Sequence, residues 1–181
     1  MAVYKLVFAG PVGAGKTTAV QSLSDIEVVS TESVATDETR RLKRTTTVAM
    51  DYGVMRLDNG DQVHLYGTPG QKRFDFMWEI LAENALGLVL LLKGDAADPV
   101  ADLRTYVNEF RSFIDQTGLV VGITHAEAAG WQVRQQVARE MQSLDLPSAV
   151  MEADPRSRAH MATLVGTLIH GLDPVRAGAP G

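Results

Sequence analysis

Residues 10–17 read Gly10-Pro11-Val12-Gly13-Ala14-Gly15-Lys16-Thr17, and they follow directly on the apolar run of residues 3–9. A G-x-x-x-x-G-K-T pattern after a predicted strand indicates a phosphate-binding loop that opens a helix. Its glycines permit a tight turn in which main-chain N–H groups converge on a di- or triphosphate, at the positive end of the helix dipole. The residues expected to contact a nucleotide here are Gly13, Ala14, Gly15, Lys16, Thr17 and Thr18.

Two side chains of this loop have distinct expected roles. Lys16 is predicted to reach the β- and γ-phosphates, and the Thr17 hydroxyl is predicted to bind Mg²⁺. The alternative is a glycine-rich turn that binds nothing. The strand before the loop favours the phosphate-binding interpretation because that is the context in which the motif functions.

Composition narrows the class of protein. The chain has 181 residues, of which 45% are apolar, so one domain with a substantial core is expected. Lys and Arg number 17 against 22 Asp and Glu, a net charge of −5, which argues against a non-specific nucleic-acid or anionic-membrane binder. The absence of cysteine excludes disulfides, a Cys-based zinc site and lipid attachment to a thiol. We expect a cytoplasmic protein with no direct membrane anchor.

Strand and helix patterns alternate along the chain. Strands are predicted at 3–9, 48–57, 62–67, 86–92, 119–123 and 149–151, and helices at 16–24, 74–84, 100–116, 131–143 and 156–170. Asn59-Gly60 between the second and third strands indicates a hairpin, so that pair is antiparallel. The prediction is a single α/β domain, a doubly wound, mostly parallel six-stranded sheet with one antiparallel edge strand, over residues 1–172, followed by a disordered tail at 173–181.

Two further motifs would converge with the phosphate loop at the C-terminal ends of the strands. Thr47 is the last residue of a polar segment, 26–47, whose length favours a functional loop. A threonine in such a loop could close over Mg²⁺ when a γ-phosphate is present. The alternative is that the threonine run simply begins a strand. In Gly67-Thr68-Pro69-Gly70-Gln71, the Gly70 N–H could meet the γ-phosphate and Gln71 could orient a water, although a plain turn also explains Pro-Gly.

These motifs together resemble small Ras-like GTPases, and among them the bacterial and archaeal branch typified by the gliding-motility GTPase MglA and its roadblock-associated relatives. The resemblance covers nearly the whole chain. It implies a P-loop NTPase fold and a switch that binds GTP or GDP with Mg²⁺ and hydrolyses GTP slowly. In that switch Thr47 binds Mg²⁺ and Gln71 positions the attacking water.

The chain departs from the family pattern at the metal. Most members have an aspartate where Gly67 stands, and its carboxylate contacts the Mg²⁺ shell. Asp51, at the start of the neighbouring antiparallel strand, is our candidate replacement, as in MglA-like relatives; a surface aspartate without a role is the alternative.

The base-binding loops depart as well. Thr124-His125-Ala126-Glu127 stands where the family has Asn-Lys-x-Asp, so Thr124, His125 and Glu127 are expected at the base, with Glu127 in place of the guanine-binding aspartate. Because glutamate is one methylene longer than aspartate, Glu127 can make the same contact with guanine only if the loop retreats. From the last base loop, at residues 152–155, only Ala153 is carried over, as a main-chain N–H donor to the base carbonyl.

Arg44, in a basic cluster upstream of Thr47, is a candidate internal arginine finger; a solvated charge cluster is the alternative. Aromatic residues at 74–78 suggest either core or a docking surface for a regulator protein that stimulates hydrolysis, a roadblock-type protein being one candidate. The four histidines, 64, 125, 160 and 170, lack metal-ligand spacing.

Two other functions stay open. One is a nucleotide-binding scaffold with negligible turnover. The other is a P-loop kinase of small molecules, for which Arg156 and Arg158 are the only candidate lid arginines.

Overall fold

The computed structural model describes residues 1–30, 50–68, 82–127 and 130–177. The strands are β1 (Val3–Ala9), β2 (Val29–Ser30), β3 (Asp51–Arg56), β4 (Gln62–Gly67), β5 (Ala85–Lys93), β6 (Leu119–Thr124) and β7 (Val150–Glu152). The helices with described bounds are α1 (Lys16–Leu23), α2 (Pro99–Gln116), α3 (Gly130–Ser143) and α4 (Arg158–Ala177). The sequence-predicted helix at 74–84 lies almost wholly outside the described residues.

One sheet holds all of these strands, in the order β2-β3-β4-β1-β5-β6-β7. β1 is parallel to β4 and β5, and β5, β6 and β7 are parallel in turn, whereas β3 is antiparallel to both of its neighbours. The predicted fold class is confirmed, and all six predicted strands are present. The two-residue strand β2 was not predicted, because it lies in the segment 26–47 that was interpreted as a loop. It pairs with Asp51 and Tyr52 and so covers part of the edge of β3 that would otherwise be open.

The hairpin between β3 and β4 turns where the sequence predicted. Gly60 has a φ of 89°, which glycine adopts without strain, and its N–H donates to Leu57 O at 3.0 Å. Asn59 and Asp61 exchange two further hydrogen bonds of 2.9 Å each. This tight connection fixes the register of the antiparallel pair, in which Asp51 faces Gly67.

Two apolar layers cover the faces of the sheet. Along β5, Leu88, Leu90 and Leu92 pack under α2 and α3, whereas Val89 and Leu91 pack under α1 and α4. This alternation explains why the central parallel strands read as unbroken aliphatic runs, since both of their faces are buried. Each such side chain stabilises the fold by about 1.5–3 kcal/mol relative to exposure to water.

The start of α2 follows helix-capping chemistry, whereas the end of α4 differs from the sequence prediction. The Asp98 carboxylate accepts the Ala101 N–H at 3.0 Å and Pro99 opens α2. α4 continues to Ala177, so residues 173–177, assigned to the tail, belong to this helix. Residues 178–181 lie outside the described residues, and the domain boundary at 172 stays a prediction. Across the described ranges, no helix is long and apolar enough to cross a bilayer.

Candidate functional site

Backbone geometry builds the phosphate loop between β1 and α1. Gly10, Gly13 and Gly15 have φ values of 145°, 82° and 101°, a region that side-chain-bearing residues rarely occupy. A Cβ at Gly10 would lie 2.1 Å from Leu91 O on β5, and one at Gly15 would lie 2.6 Å from Pro155 Cγ. Gly10 and Gly15 therefore require glycine for both conformation and space, and Gly13 requires it for conformation.

The N-terminus of α1 is open to an anion. Gly15 caps it without a side-chain hydrogen bond, and the first turn carries no acidic residue. The uncapped N–H groups and the helix dipole favour a negatively charged ligand at this end. The loop and the helix thus present main-chain N–H groups where the sequence predicts phosphate binding, and the phosphate contacts themselves stay a prediction.

Lys16 lies across this loop. Its Nζ donates to Gly10 O and, at 3.3 Å, to Pro11 O. Partial burial lowers the pKa of Lys16 from its usual value, and the nearby Asp51 carboxylate opposes that shift. The ammonium is held by two neutral carbonyl oxygens, which phosphate oxygens would replace with stronger, charge-assisted contacts.

Thr17 and Asp51 meet beside the loop although they are 34 residues apart. The Thr17 hydroxyl donates to Asp51 Oδ2. Asp51 is paired with Gly67 across β3 and β4, and a Cβ at Gly67 would lie 3.4 Å from Asp51 Oδ2. The carboxylate of Asp51 therefore lies between Gly67 and the first turn of α1.

A hydroxyl and a carboxylate are the hard oxygen ligands that suit Mg²⁺. Within the described ranges, no group of three or more His, Asp or Glu side chains is placed to hold a metal ion on its own. A metal at Thr17 and Asp51 would consequently need oxygens from a ligand to complete its shell. That requirement matches the way Mg²⁺ is shared between protein and nucleotide phosphates.

The other end of the site contains the last residue of β6 and the loop that follows it. Thr124 is buried, and its hydroxyl donates to Leu92 O at 3.3 Å. His125 has a φ of 52° and places its Nε2 3.2 Å from Gly13 O. The exposed Glu127 follows on the same loop. The 124–127 loop is thus tied to the phosphate loop, which brings the two predicted halves of a nucleotide site together.

The loop after β7 departs from the expectation for Ala153. Its N–H donates to Ile123 O at 2.9 Å as part of the pairing between β6 and β7, so it is not free to meet a base carbonyl. Asp154 forms a bidentate ion pair with Arg156, at 3.0 Å to Nε and 2.9 Å to Nη2. Hydrogen bonds from the Arg156 side chain and N–H lower the pKa of Asp154 to about 2.

These elements line one cleft of about 1130 Å³. Among the predicted site residues, the cleft walls include Gly13, Gly15, Lys16, Thr17, Thr18, Asp51, His125, Glu127 and Ala153. Ala14 and Thr124 are fully buried behind the walls. Gln71, Arg44, Thr47 and Gly70 lie outside the described residues, so their predicted roles stay predictions.

Several residues of the site were missed by the sequence reasoning. Thr68 donates from both its N–H and its hydroxyl to Phe8 O, at 2.9 and 3.0 Å, and so ties the end of β4 to β1. Pro155 contacts Gly15, and Lys93 Nζ would lie 3.7 Å from a Cβ at Gly13. The two-residue spacing of Asp154 and Arg156 was a readable signal for an ion pair. Nothing local in the sequence points to Pro155.

Comparison with known proteins assigns the chain to a family. Residues 26–168 match the family described as conserved hypothetical ATP binding protein. The chain belongs to this family. The uncharacterized protein MJ1339 of Methanocaldococcus jannaschii is 36% identical over 77 residues, which are 42% of this chain and 42% of that relative. The match therefore spans less than half of the relative's length.

A solved structure supports the fold. The G domain of the T. maritima FeoB iron transporter is similar with a TM-score of 0.59 and 16% identity, over 93% of this chain and 98% of that domain. At this identity the similarity concerns the fold alone. Together with the family, it shows that this chain has a P-loop NTPase fold and is a nucleotide-binding P-loop protein. Neither match reaches the MglA branch that the motifs resemble.

Proposed function

We propose that this protein is a GTP-dependent molecular switch of the MglA-like kind, which hydrolyses GTP slowly and changes its affinity for partners with nucleotide state. The observation that carries the proposal is the contact of Thr17 with Asp51 beside the phosphate loop, opposite Gly67. It provides a carboxylate for Mg²⁺ in a chain that lacks one at position 67. Without such a carboxylate the departure from the family pattern would favour binding without turnover.

The phosphate loop supplies most of the binding. Main-chain N–H groups at the start of α1 and the Lys16 ammonium would hold the β- and γ-phosphates, with Lys16 exchanging two loop carbonyls for phosphate oxygens. Thr17 and Asp51 would hold Mg²⁺, Thr17 directly and Asp51 through the surrounding shell. Bound Mg²⁺ neutralises charge on the phosphate oxygens as the transferred group separates.

Hydrolysis would proceed by in-line attack of water on the γ-phosphorus. The new P–O bond forms as the bond to the β-phosphate oxygen breaks, which gives GDP and inorganic phosphate. We assign Gln71 to orient the water, Arg44 to neutralise charge on the γ-phosphate, and Thr47 and Gly70 to sense the γ-phosphate. The intrinsic rate expected for this class is on the order of 10⁻⁴ to 10⁻³ per second, with a regulator protein at residues 74–78 accelerating it.

Two observations point to different bases. The family description speaks of ATP binding, whereas Glu127 provides the carboxylate that guanine recognition uses. We therefore propose guanine and retain ATP as the second candidate. The small-molecule kinase alternative required Arg156 and Arg158 as lid arginines. Arg158 does not fit that role, because its Nη2 donates to Asp25 Oδ1 at 3.1 Å and its side chain does not line the cleft.

The proposal is tested by single-turnover phosphate release from GTP and ATP, with and without Mg²⁺. We expect slow, Mg²⁺-dependent release from GTP, which falls at least tenfold in Gln71→Leu and Arg44→Ala because both act only on the transition state. Tight binding with no release under any condition, including in the presence of a roadblock-type regulator, would favour the scaffold function instead. Faster release from ATP would transfer the assignment to the second candidate.

A further inference from the structure

The loop between β7 and α4 lacks a main-chain donor for a base. The Ala153 N–H donates to Ile123 O at 2.9 Å, the Asp154 N–H to His160 Nδ1 at 3.0 Å and the Arg156 N–H to Asp154 Oδ1 at 2.9 Å. Pro155 has no N–H. Any hydrogen-bond donor that this loop offers to a ligand must therefore be a side chain.

Arg156 is the side chain best placed to be that donor. It lines the cleft and is 79% exposed. Asp154 uses two of the five guanidinium N–H groups, through Nε and Nη2, and leaves three that no other described residue engages. The bidentate pair also restricts the orientation of the guanidinium, so its free edge is held in place before a ligand arrives.

Glu127 faces the same cleft and carries the opposite hydrogen-bonding character. Both side chains line the cleft, and the Glu127 carboxylate adds to the raised pKa of Arg156 after the larger effect of Asp154. The base end of the cleft therefore combines an acceptor from one loop with a donor from the other.

This combination suits one purine. Guanine presents a carbonyl acceptor at position 6 next to N–H donors at positions 1 and 2, whereas adenine presents an amino donor at position 6 and an acceptor at position 1. An arginine beside the 6-position and a carboxylate beside positions 1 and 2 would match guanine. The same pair would mismatch adenine at both places, because the arginine would face the 6-amino donor and the carboxylate would face the acceptor at position 1.

We propose that Arg156 is a specificity-determining residue that donates to the 6-carbonyl of guanine, opposite Glu127, in place of a main-chain N–H. The proposal rests on the proposed function, since it needs a nucleoside triphosphate held by the phosphate loop. Asp154 acts through Arg156 and is a positioning residue. His160, which also lines the cleft, is the competing donor, because its Nε2 is free to donate when Nδ1 accepts from Asp154.

Binding affinity measured by calorimetry for GTP, ATP and 6-thio-GTP tests this assignment. 6-Thio-GTP keeps the donors at positions 1 and 2 and replaces the carbonyl oxygen with sulfur, a weaker acceptor. For Arg156→Ala we expect an affinity for GTP about tenfold lower, since a charge-assisted hydrogen bond is lost. The loss should be smaller for 6-thio-GTP and absent for ATP. Arg134→Ala, an exposed arginine on α3 that does not line the cleft, is the matched control and should leave all three affinities unchanged.

Four results would overturn the inference. Equal losses for GTP and ATP in Arg156→Ala would mean a general charge effect, and unchanged affinity for GTP would mean no contact. If His160→Ala reproduces the selective loss and Arg156→Ala does not, the donor is His160. In each of these cases binding of Mg-GTP by the unaltered protein would leave the proposed function standing. If the unaltered protein binds none of the three nucleotides, the proposed function and this inference fall together.

Discussion

Moving the carboxylate from position 51 to position 67 tests whether Asp51 replaces the aspartate that the resemblance leads us to expect at position 67. The two residues are paired across β3 and β4, and a Cβ at Gly67 would lie 3.3 Å from Asp51 Cβ. Asp51→Gly combined with Gly67→Asp therefore moves one carboxylate across the ladder without changing the net charge. If Asp51 replaces the missing family aspartate, the double variant should recover most of the Mg²⁺-dependent GTP affinity that Asp51→Gly loses.

The single variants set the scale of the effect. Removing a carboxylate that supports a metal shell typically lowers metal affinity about 10- to 100-fold, which we expect for Asp51→Gly. Gly67→Asp alone places two carboxylates side by side. At a separation of about 4 Å, their repulsion approaches 4 kcal/mol for an effective dielectric constant of 20. Because solvent screens the partly exposed pair, we expect the free energy of unfolding to fall by about 1–3 kcal/mol.

The assay is titration of a fluorescent GTP analogue at several Mg²⁺ concentrations, with thermal unfolding followed in parallel. Asp58→Asn, in the exposed hairpin, is the matched control for loss of one acidic charge and should change neither measurement. The reasoning is refuted if Asp51→Gly keeps full Mg²⁺ dependence. It is also refuted if the double variant folds as well as the unaltered protein and yet binds no better than Asp51→Gly.

Two further predictions concern glycine conformation and pH. Gly15→Ala should destabilise the fold by about 1–3 kcal/mol, because it adds backbone strain at a φ of 101° and a steric clash with Pro155. Gly166→Ala, which has open space around it in α4, should stabilise the fold by up to about 1 kcal/mol. Denaturant unfolding measures both free energies, and equal effects of the two substitutions would contradict the geometry. The pKa of Asp154 is lowered to about 2 by Arg156, so its contribution to stability is complete above the ordinary carboxyl pKa and is lost as the pH falls from about 4 to 2. Arg156→Ala should therefore flatten the pH dependence of Tm in that window, and an unchanged profile would argue against the ion pair in solution.

The order of elements was predictable because it depends on local patterns. Unbroken aliphatic runs such as residues 86–92 indicated strands buried on both faces, and Asn59-Gly60 fixed the hairpin. The phosphate loop was readable from its G-x-x-x-x-G-K-T pattern together with the apolar run before it. Asp51 was a candidate metal ligand beside Thr17; the structure brings the two side chains into contact, and the metal role stays a prediction.

What could not be predicted depends on register and on contacts between distant loops. The engagement of the Ala153 N–H follows from how β7 pairs with β6, which no local pattern reveals. The facing of Asp51 and Gly67 likewise required the register of β3 and β4. The role proposed for Arg156 emerged only when the fold brought its loop to the cleft that Glu127 shares.

The central claim is that residues 10–17 hold the phosphates of a nucleoside triphosphate, and calorimetry with Mg-GTP and Mg-ATP on the unaltered protein and on Lys16→Ala tests it most directly. We predict saturable heat for the unaltered protein, larger affinity for Mg-GTP, and a loss of at least tenfold in Lys16→Ala, because the ammonium is the side-chain cation at the β- and γ-phosphates. Thermal unfolding of Lys16→Ala without ligand provides the control for folding. Binding that is equally tight in a folded Lys16→Ala variant, or no binding of either nucleotide by the unaltered protein, would contradict the account.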